Sequence, residues 1–255
     1  MAARFSIKII PFFLLLVWVE SAFTQDFNTL VQEAEKLEKE QKEIQALKKY
    51  TEAQKVKPTD LHVLYKCSEL YSRIGVRETN TSNRDQYYKS SLAFAQMAYK
   101  YYPLSDDANV AMSMALGRLA LTRSGKEKVS TVKEIKTYAD NAVRINPKNF
   151  KAWHIIGKWH YEVSNLGFLE KAAIKLIYGG LPNSSFSESV KAYEKVKELN
   201  PYFGSNYFEL AKAYHKLNDN VSAEKNLKYV IAMPNYTEED PIVKTKATEL
   251  LSIIE

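Results

Sequence analysis

The chain has 255 residues, of which 45% are hydrophobic and 26% charged, which is enough apolar material for a sizeable core. Only eight glycines and eight prolines are present, and so few breakers in a long chain disfavour an all-β fold, which needs frequent turns. The formal charge is +6, but lysines alternate with glutamates, as in Glu33-Ala34-Glu35-Lys36-Leu37-Glu38-Lys39-Glu40, so the charges describe solvated helix faces and exclude a single-signed nucleic-acid patch.

In chain order, the first element is basic, apolar and then small. Arg4 and Lys8 precede an eleven-residue apolar run, Ile9 to Val19, followed by Ser21-Ala22-Phe23-Thr24-Gln25. That order predicts a signal peptide over residues 1–24, and hence an exported mature chain, periplasmic or secreted, beginning near Ala22 or Gln25. An uncleaved membrane anchor is the alternative, although the run is well short of the ~20 apolar residues a spanning helix needs. Removing residues 1–24 takes away Arg4, Lys8 and Glu20 and leaves +5. Four Asn-x-Ser/Thr sequons, at Asn80, Asn183, Asn220 and Asn235, keep a eukaryotic secretory route open beside a bacterial envelope.

From residue 26 onward the sequence repeats. Pro58, Pro103, Pro147, Pro201 and Pro234 stand 45, 44, 54 and 33 residues apart, each at the close of a helical pattern. Five residues before the first four stand Ala53, Ala98, Ala142 and Val196; eight before, Tyr50, Ala95, Ala139 and Tyr193; twelve before, Ala46, Ser91, Ile135 and Ser189. Small residues at fixed distances let two helices approach closely, as in the second helix of a tetratricopeptide repeat. The first helices show a large–large–small–aromatic spacing in Leu64, Cys67, Ser68 and Tyr71, in Trp153, Ile156, Gly157 and His160, and in Tyr207, Leu210, Ala211 and Tyr214. Gly117 is matched to Gly157 as a helix-contact glycine.

The expected fold is all-α: a tetratricopeptide-like superhelix of about five helix pairs, 26–58, 60–103, 104–147, 149–201 and 202–234, within one domain spanning 26–255. A capping helix from about Glu238 to Ile254 follows. Spacings beyond the usual 34 residues predict long loops at Arg77–Arg84 and Arg123–Ser130. Cys67, the only cysteine, is expected to be a small buried hydrophobe.

The fourth repeat carries about twenty extra residues. Within them Phe168, Leu169, Ala172, Ala173, Leu176 and Ile177 form one apolar helical face, with Glu170, Lys171 and Lys175 off it. This inserted helix serves either as extra core, or as a lid over the groove or a surface meeting lipid. Trp159 is predicted to pack beneath it and hold it on the concave side. Phe168, Leu176 and Ile177 would then be groove walls for a ligand or partner, alongside Tyr207 and Tyr214.

The run Ala152-Trp153-His154-Ile155-Ile156-Gly157-Lys158-Trp159-His160-Tyr161-Glu162-Val163-Ser164-Asn165-Leu166, followed by Phe168-Leu169-Glu170-Lys171, resembles the regulator of microtubule dynamics family. Asn200-Pro201, the Leu210–Tyr214 helix and Pro234-Asn235-Tyr236-Thr237-Glu238-Glu239-Asp240 are similar too, so the resemblance covers roughly residues 105–255. It implies a non-catalytic helical-repeat protein, linked in animals to microtubules and mitochondria. A secreted protein would not meet microtubules, so the microtubule link holds only if the N-terminus is not a secretion signal.

No catalytic or cofactor motif stands out. His154 and His160 lie about 240° apart around a helix and do not share a face as metal ligands would, and Gly-x-Ser-x-Gly, His-Glu-x-x-His and paired cysteines are absent from the sequence. Two functions remain: a scaffold that binds a protein or peptide on its concave face, or a carrier that encloses a lipid or other hydrophobic ligand in the groove.

Overall fold

The computed structural model describes residues 26–254. Among these it contains twelve helices and no strand: α1 (residues 26–39), α2 (Glu43–Val56), α3 (Leu61–Arg77), α4 (Thr81–Tyr101), α5 (Asp106–Ala120), α6 (Gly125–Ile145), α7 (Phe150–Ser164), α8 (Phe168–Tyr178), α9 (Phe186–Leu199), α10 (Gly204–Lys216), α11 (Asn220–Ala232) and α12 (Asp240–Ile254). Five antiparallel pairs follow, α1/α2, α3/α4, α5/α6, α7/α9 and α10/α11, with α8 inserted in the fourth and α12 packed on the fifth.

Pro58, Pro103 and Pro147 each mark a turn that also starts the next helix. Asp60, Ser105 and Asn149, two residues beyond Pro58, Pro103 and Pro147, accept with their side chains from the backbone N–H of Val63, Ala108 and Ala152. These caps satisfy donors that a helix start leaves without partners. At the fourth turn Phe203 stands in the cap position and gives no side-chain bond.

All twelve residues counted back from the prolines are buried. Hydroxyls at the closest approaches bond across to the partner backbone. Ser68 Oγ donates to Ser91 O at 3.0 Å and Ser91 Oγ returns to Ser68 O at 2.8 Å. Ser113 Oγ donates to Ile135 O and Ser189 Oγ to Gly157 O, both at 2.8 Å. Cys67 lies in the first core cluster, and burial pushes its thiol up to about 12.

Two expectations need correction. The long loops are absent: only residues 78–80 separate α3 from α4, and only 121–124 separate α5 from α6. The extra length went into α4 and α6, 21 residues each; Asn80 caps α4 by accepting from Ser82 N and Asn83 N. Gly117 is not the counterpart of Gly157. A Cβ on Gly117 would meet nothing within 4 Å, and Ser113 occupies the contact instead. Gly117→Ala should therefore raise stability by about 0.5–1 kcal/mol, since alanine in a helix restricts the unfolded chain more than glycine. Chemical denaturation checks this, and a loss would mean that the site is crowded.

The ends of the superhelix meet. The turn after α1 lies against the loop before α12: Gln41 Nε2 donates to Asn235 O at 3.0 Å and Glu43 N–H to Glu238 Oε1 at 2.7 Å. Arg77 Nη2 reaches Glu238 Oε2 at 3.0 Å and Glu43 at 2.7 Å, and Arg73 pairs with the same Glu43.

Candidate partner-binding face

The first helices of the repeats, α3, α5, α7 and α10, lie side by side, followed by α12. Lys151 of α7 donates to the Tyr65 hydroxyl of α3 at 2.7 Å and pairs with Glu69 of α3, although α5 lies between them. Side chains meet over an intervening helix only where the surface curves inward, so this row is the concave face.

Ion pairs line it. Glu38 of α1 accepts from Lys66 of α3 at 2.9 Å, Arg118 of α5 donates to Ser72 of α3 at 3.0 Å, and Lys158 of α7 reaches Glu209 of α10 at 2.9 Å. Burial works to raise the carboxyl of Glu69, but Lys151, Lys66 and Arg73 outweigh it and hold the group down to about 2. The Glu209 carboxyl follows the same balance, burial against Lys158 and Lys212, and also falls to about 2. Burial lowers His154 to about 4, so it is neutral near pH 7, with Nδ1 3.1 Å from Asn206 Oδ1. No group of three or more His, Cys, Asp or Glu that could hold a metal occurs among the described residues.

At the C-terminal end the face opens into a concavity of about 340 Å³ between α7, α10 and α12. Tyr161 and Phe208 form its aromatic floor, Leu250 and Ile253 one wall, and Lys212, His215, Lys246 and Glu249 complete the lining. Lys212 Nζ stands 4.6 Å from the Tyr161 ring centre and 5.5 Å from that of Phe208, within range of cation–π attraction, and 2.8 Å from Glu209. The arrangement suits an apolar side chain.

None of the six residues expected at the groove lines this concavity. Tyr207 is buried, 4.5 Å ring to ring from Tyr229, with its hydroxyl donating to Pro201 O. Tyr214 donates to Glu194 Oε1 across the α9–α10 seam. Trp159 lies in the core between α5, α6 and α7, its Nε1–H donating to Val132 O at 2.8 Å. Phe168, Leu176 and Ile177 belong to α8, which packs against α6, a second helix of its pair, away from the first-helix row. Since α8 has no buried residue, it is not extra core either. The concave residues Phe208, Lys212 and His215 follow Tyr207, Ala211 and Tyr214 by one position, a turn of about 100° around the helix. Their i, i+4, i+7 spacing is visible in the sequence, but the packing stripe beside it carries the stronger hydrophobic signal.

The paired helices, the capped turns and the inward row of first helices define a tetratricopeptide-like helical scaffold. The same fold occurs in a thermophilic tetratricopeptide protein of Thermus thermophilus, at a TM-score of 0.65 and 12% identity over 89% of this chain and 99% of that one. Residues 30–255 match the family described as Regulator of microtubule dynamics protein 1-3, and the chain belongs to that family. It is 26% identical to regulator of microtubule dynamics protein 1 of Mus musculus over 64% of this chain and 53% of that protein. It is 30% identical to protein 3 of Xenopus laevis over 53% and 29%, and 22% identical to protein 2 of Homo sapiens over 76% and 47%. The chain thus spans about half or less of the length of these relatives.

These relatives overturn the exported destination. They are animal proteins named for microtubule regulation, and a secreted protein would not meet microtubules. Residues 1–24, on which the signal-peptide expectation rests, lie outside the described residues.

Proposed function

We propose that this chain is a non-catalytic adaptor that seats a segment of a protein partner on its concave face. The observation that carries this reading is the concavity between α7, α10 and α12, where Lys212 caps an aromatic floor and Ile253 stands exposed at the rim. A segment with an apolar side chain and a neighbouring acidic group would fill the floor and set that group against Lys246, Lys212 being already paired with Glu209. The relatives are named for microtubule regulation, so the partner is sought first among microtubule components. A lipid carrier is less well supported, because Glu69, Arg73, Lys151, Lys158 and Glu209 put ion pairs along the face where an acyl chain would have to lie.

Co-sedimentation with polymerised tubulin tests this. The parent chain should pellet with the polymer. Ile253→Glu should weaken binding about tenfold, as expected for an anchoring contact, while the fold stays intact because the side chain is exposed. Equal pelleting of both would put the contact elsewhere. If neither pellets, microtubules are removed from the reading.

A further inference from the structure

The inserted helix α8 is mounted with its apolar half outward. Phe168, Leu169, Leu176 and Ile177 are 84, 81, 87 and 64% exposed, and Ala172 and Ala173 between them are exposed as well. At 3.6 residues per turn these six cover an arc of about 180°. The opposite arc holds the helix to the body. Ile174 and Tyr178 are half-buried, Lys133 Nζ donates to Tyr178 O at 3.0 Å, and Lys171 Nζ donates to Ser164 O at 2.8 Å. Leu166 and Leu181, at the two stems, pack on the core cluster that contains Trp159. The stems are thus anchored, while the apolar arc stays exposed among the described residues.

The surroundings are basic. The C-terminal end of α8 sits over the start of α6, where a Cβ on Gly125 would lie 3.6 Å from the Tyr178 hydroxyl. Lys126 and Lys128, which follow, are exposed, as are Lys171 and Lys175 on α8 itself. The nearby Glu127 is paired with Arg123, which leaves Glu170 as the one acidic residue of α8.

We propose that α8 is a membrane-surface docking element that lies flat in the headgroup region of an anionic bilayer. Phe168, Leu169, Leu176 and Ile177 enter the acyl boundary and the lysine fringe meets lipid phosphates or carboxylates. Eleven residues are too few to cross a bilayer, which needs ~20, so the helix lies along the surface. Charge also selects this occupant over a second copy of the chain. A two-fold contact through α8 would set the same lysine fringe against itself, whereas anionic lipid complements it.

The test uses the full chain with Ala172→Cys, labelled with an environment-sensitive dye. Cys67 is buried and its thiol pushed up to about 12, so the label goes to position 172. Phosphatidylcholine vesicles containing phosphatidylserine should shift the dye emission to the blue, and phosphatidylcholine alone should shift it far less. Lys126→Glu with Lys128→Glu and Lys175→Glu should weaken the response about tenfold or more. Leu169→Glu with Leu176→Glu should abolish it with helicity unchanged. Residues 1–24 are identical in all these variants, so any lipid contact they make cancels in the comparison. Three results would overturn the proposal: no shift on either vesicle, a shift that survives the leucine replacements, or a shift without vesicles that grows with protein concentration. The last would mean that the face meets protein.

Discussion

Acid should unfold this protein between about pH 4.5 and pH 2, with a loss of about 3 kcal/mol at each of two carboxylates. Glu69 and Glu209 ordinarily titrate at 4.5, and the folded chain holds both down to about 2. In each case burial opposes the shift and neighbouring cations overcome it: Lys151, Lys66 and Arg73 at Glu69, Lys158 and Lys212 at Glu209. A depressed carboxylate means that the unfolded chain takes up its proton first. The stabilisation is therefore complete above the unfolded value and disappears as pH falls through the folded one. A depression of roughly 2.5 units corresponds to about 3 kcal/mol. Asp107 acts in the opposite sense, because burial and Asp106 raise its carboxyl, and offsets part of the loss. Thermal melts taken from neutral pH down to about pH 2 should show the decline. It begins above pH 4.5, because burial holds His154 neutral down to about pH 4 while the unfolded chain protonates it from about 6.5. Glu69→Gln with Glu209→Gln should flatten only the part below about pH 4.5. A melting temperature independent of pH across that window would mean that the ion pairs of the concave face contribute little.

Gly157→Leu should cost about 3 kcal/mol or more. A Cβ on Gly157 would lie 2.7 Å from two ring atoms of Tyr193. That ring cannot retreat, since Tyr193 is fully buried among Tyr161, Leu210 and Ala213, with His154 at 5.3 Å. The helices cannot spread cheaply either, because Ser189 Oγ is bonded to Gly157 O at 2.8 Å. The loss is read by urea denaturation. A variant as stable as the parent would show that α7 and α9 do not pack in this register.

The parts of the fold that could be read from the sequence are those with few physical solutions. Two helices in close contact require small residues at fixed intervals, so Ala53, Ala98, Ala142 and their companions mark the second helices without ambiguity of register. Prolines two residues before Asp60, Ser105 and Asn149 mark the turns. The candidate site was much less legible. Tyr161, Phe208, Lys212 and His215 look like ordinary helix-surface residues until curvature brings three helices around them. Tyr207 and Tyr214, one position away on α10, drew attention because aromatic residues also fill packing seams. Periodicity exposed the apolar face of α8 but not its direction, which is set by the Lys133–Tyr178 and Lys171–Ser164 bonds on the opposite side. The contact of Glu238 with Glu43 joins residues 195 positions apart and has no local signature.

The claim that the concave face is where the partner binds is tested most directly by a photo-crosslinking phenylalanine analogue, placed at Phe208 in one chain and at Lys195 in another. Phe208 lies on the floor of the concavity, and Lys195 is a half-buried residue of α9, a second helix of its pair, with its side chain 44% exposed. Illumination with polymerised tubulin should give a covalent adduct from position 208 and none from position 195. Adducts from position 195 alone, or equally from both, would contradict it.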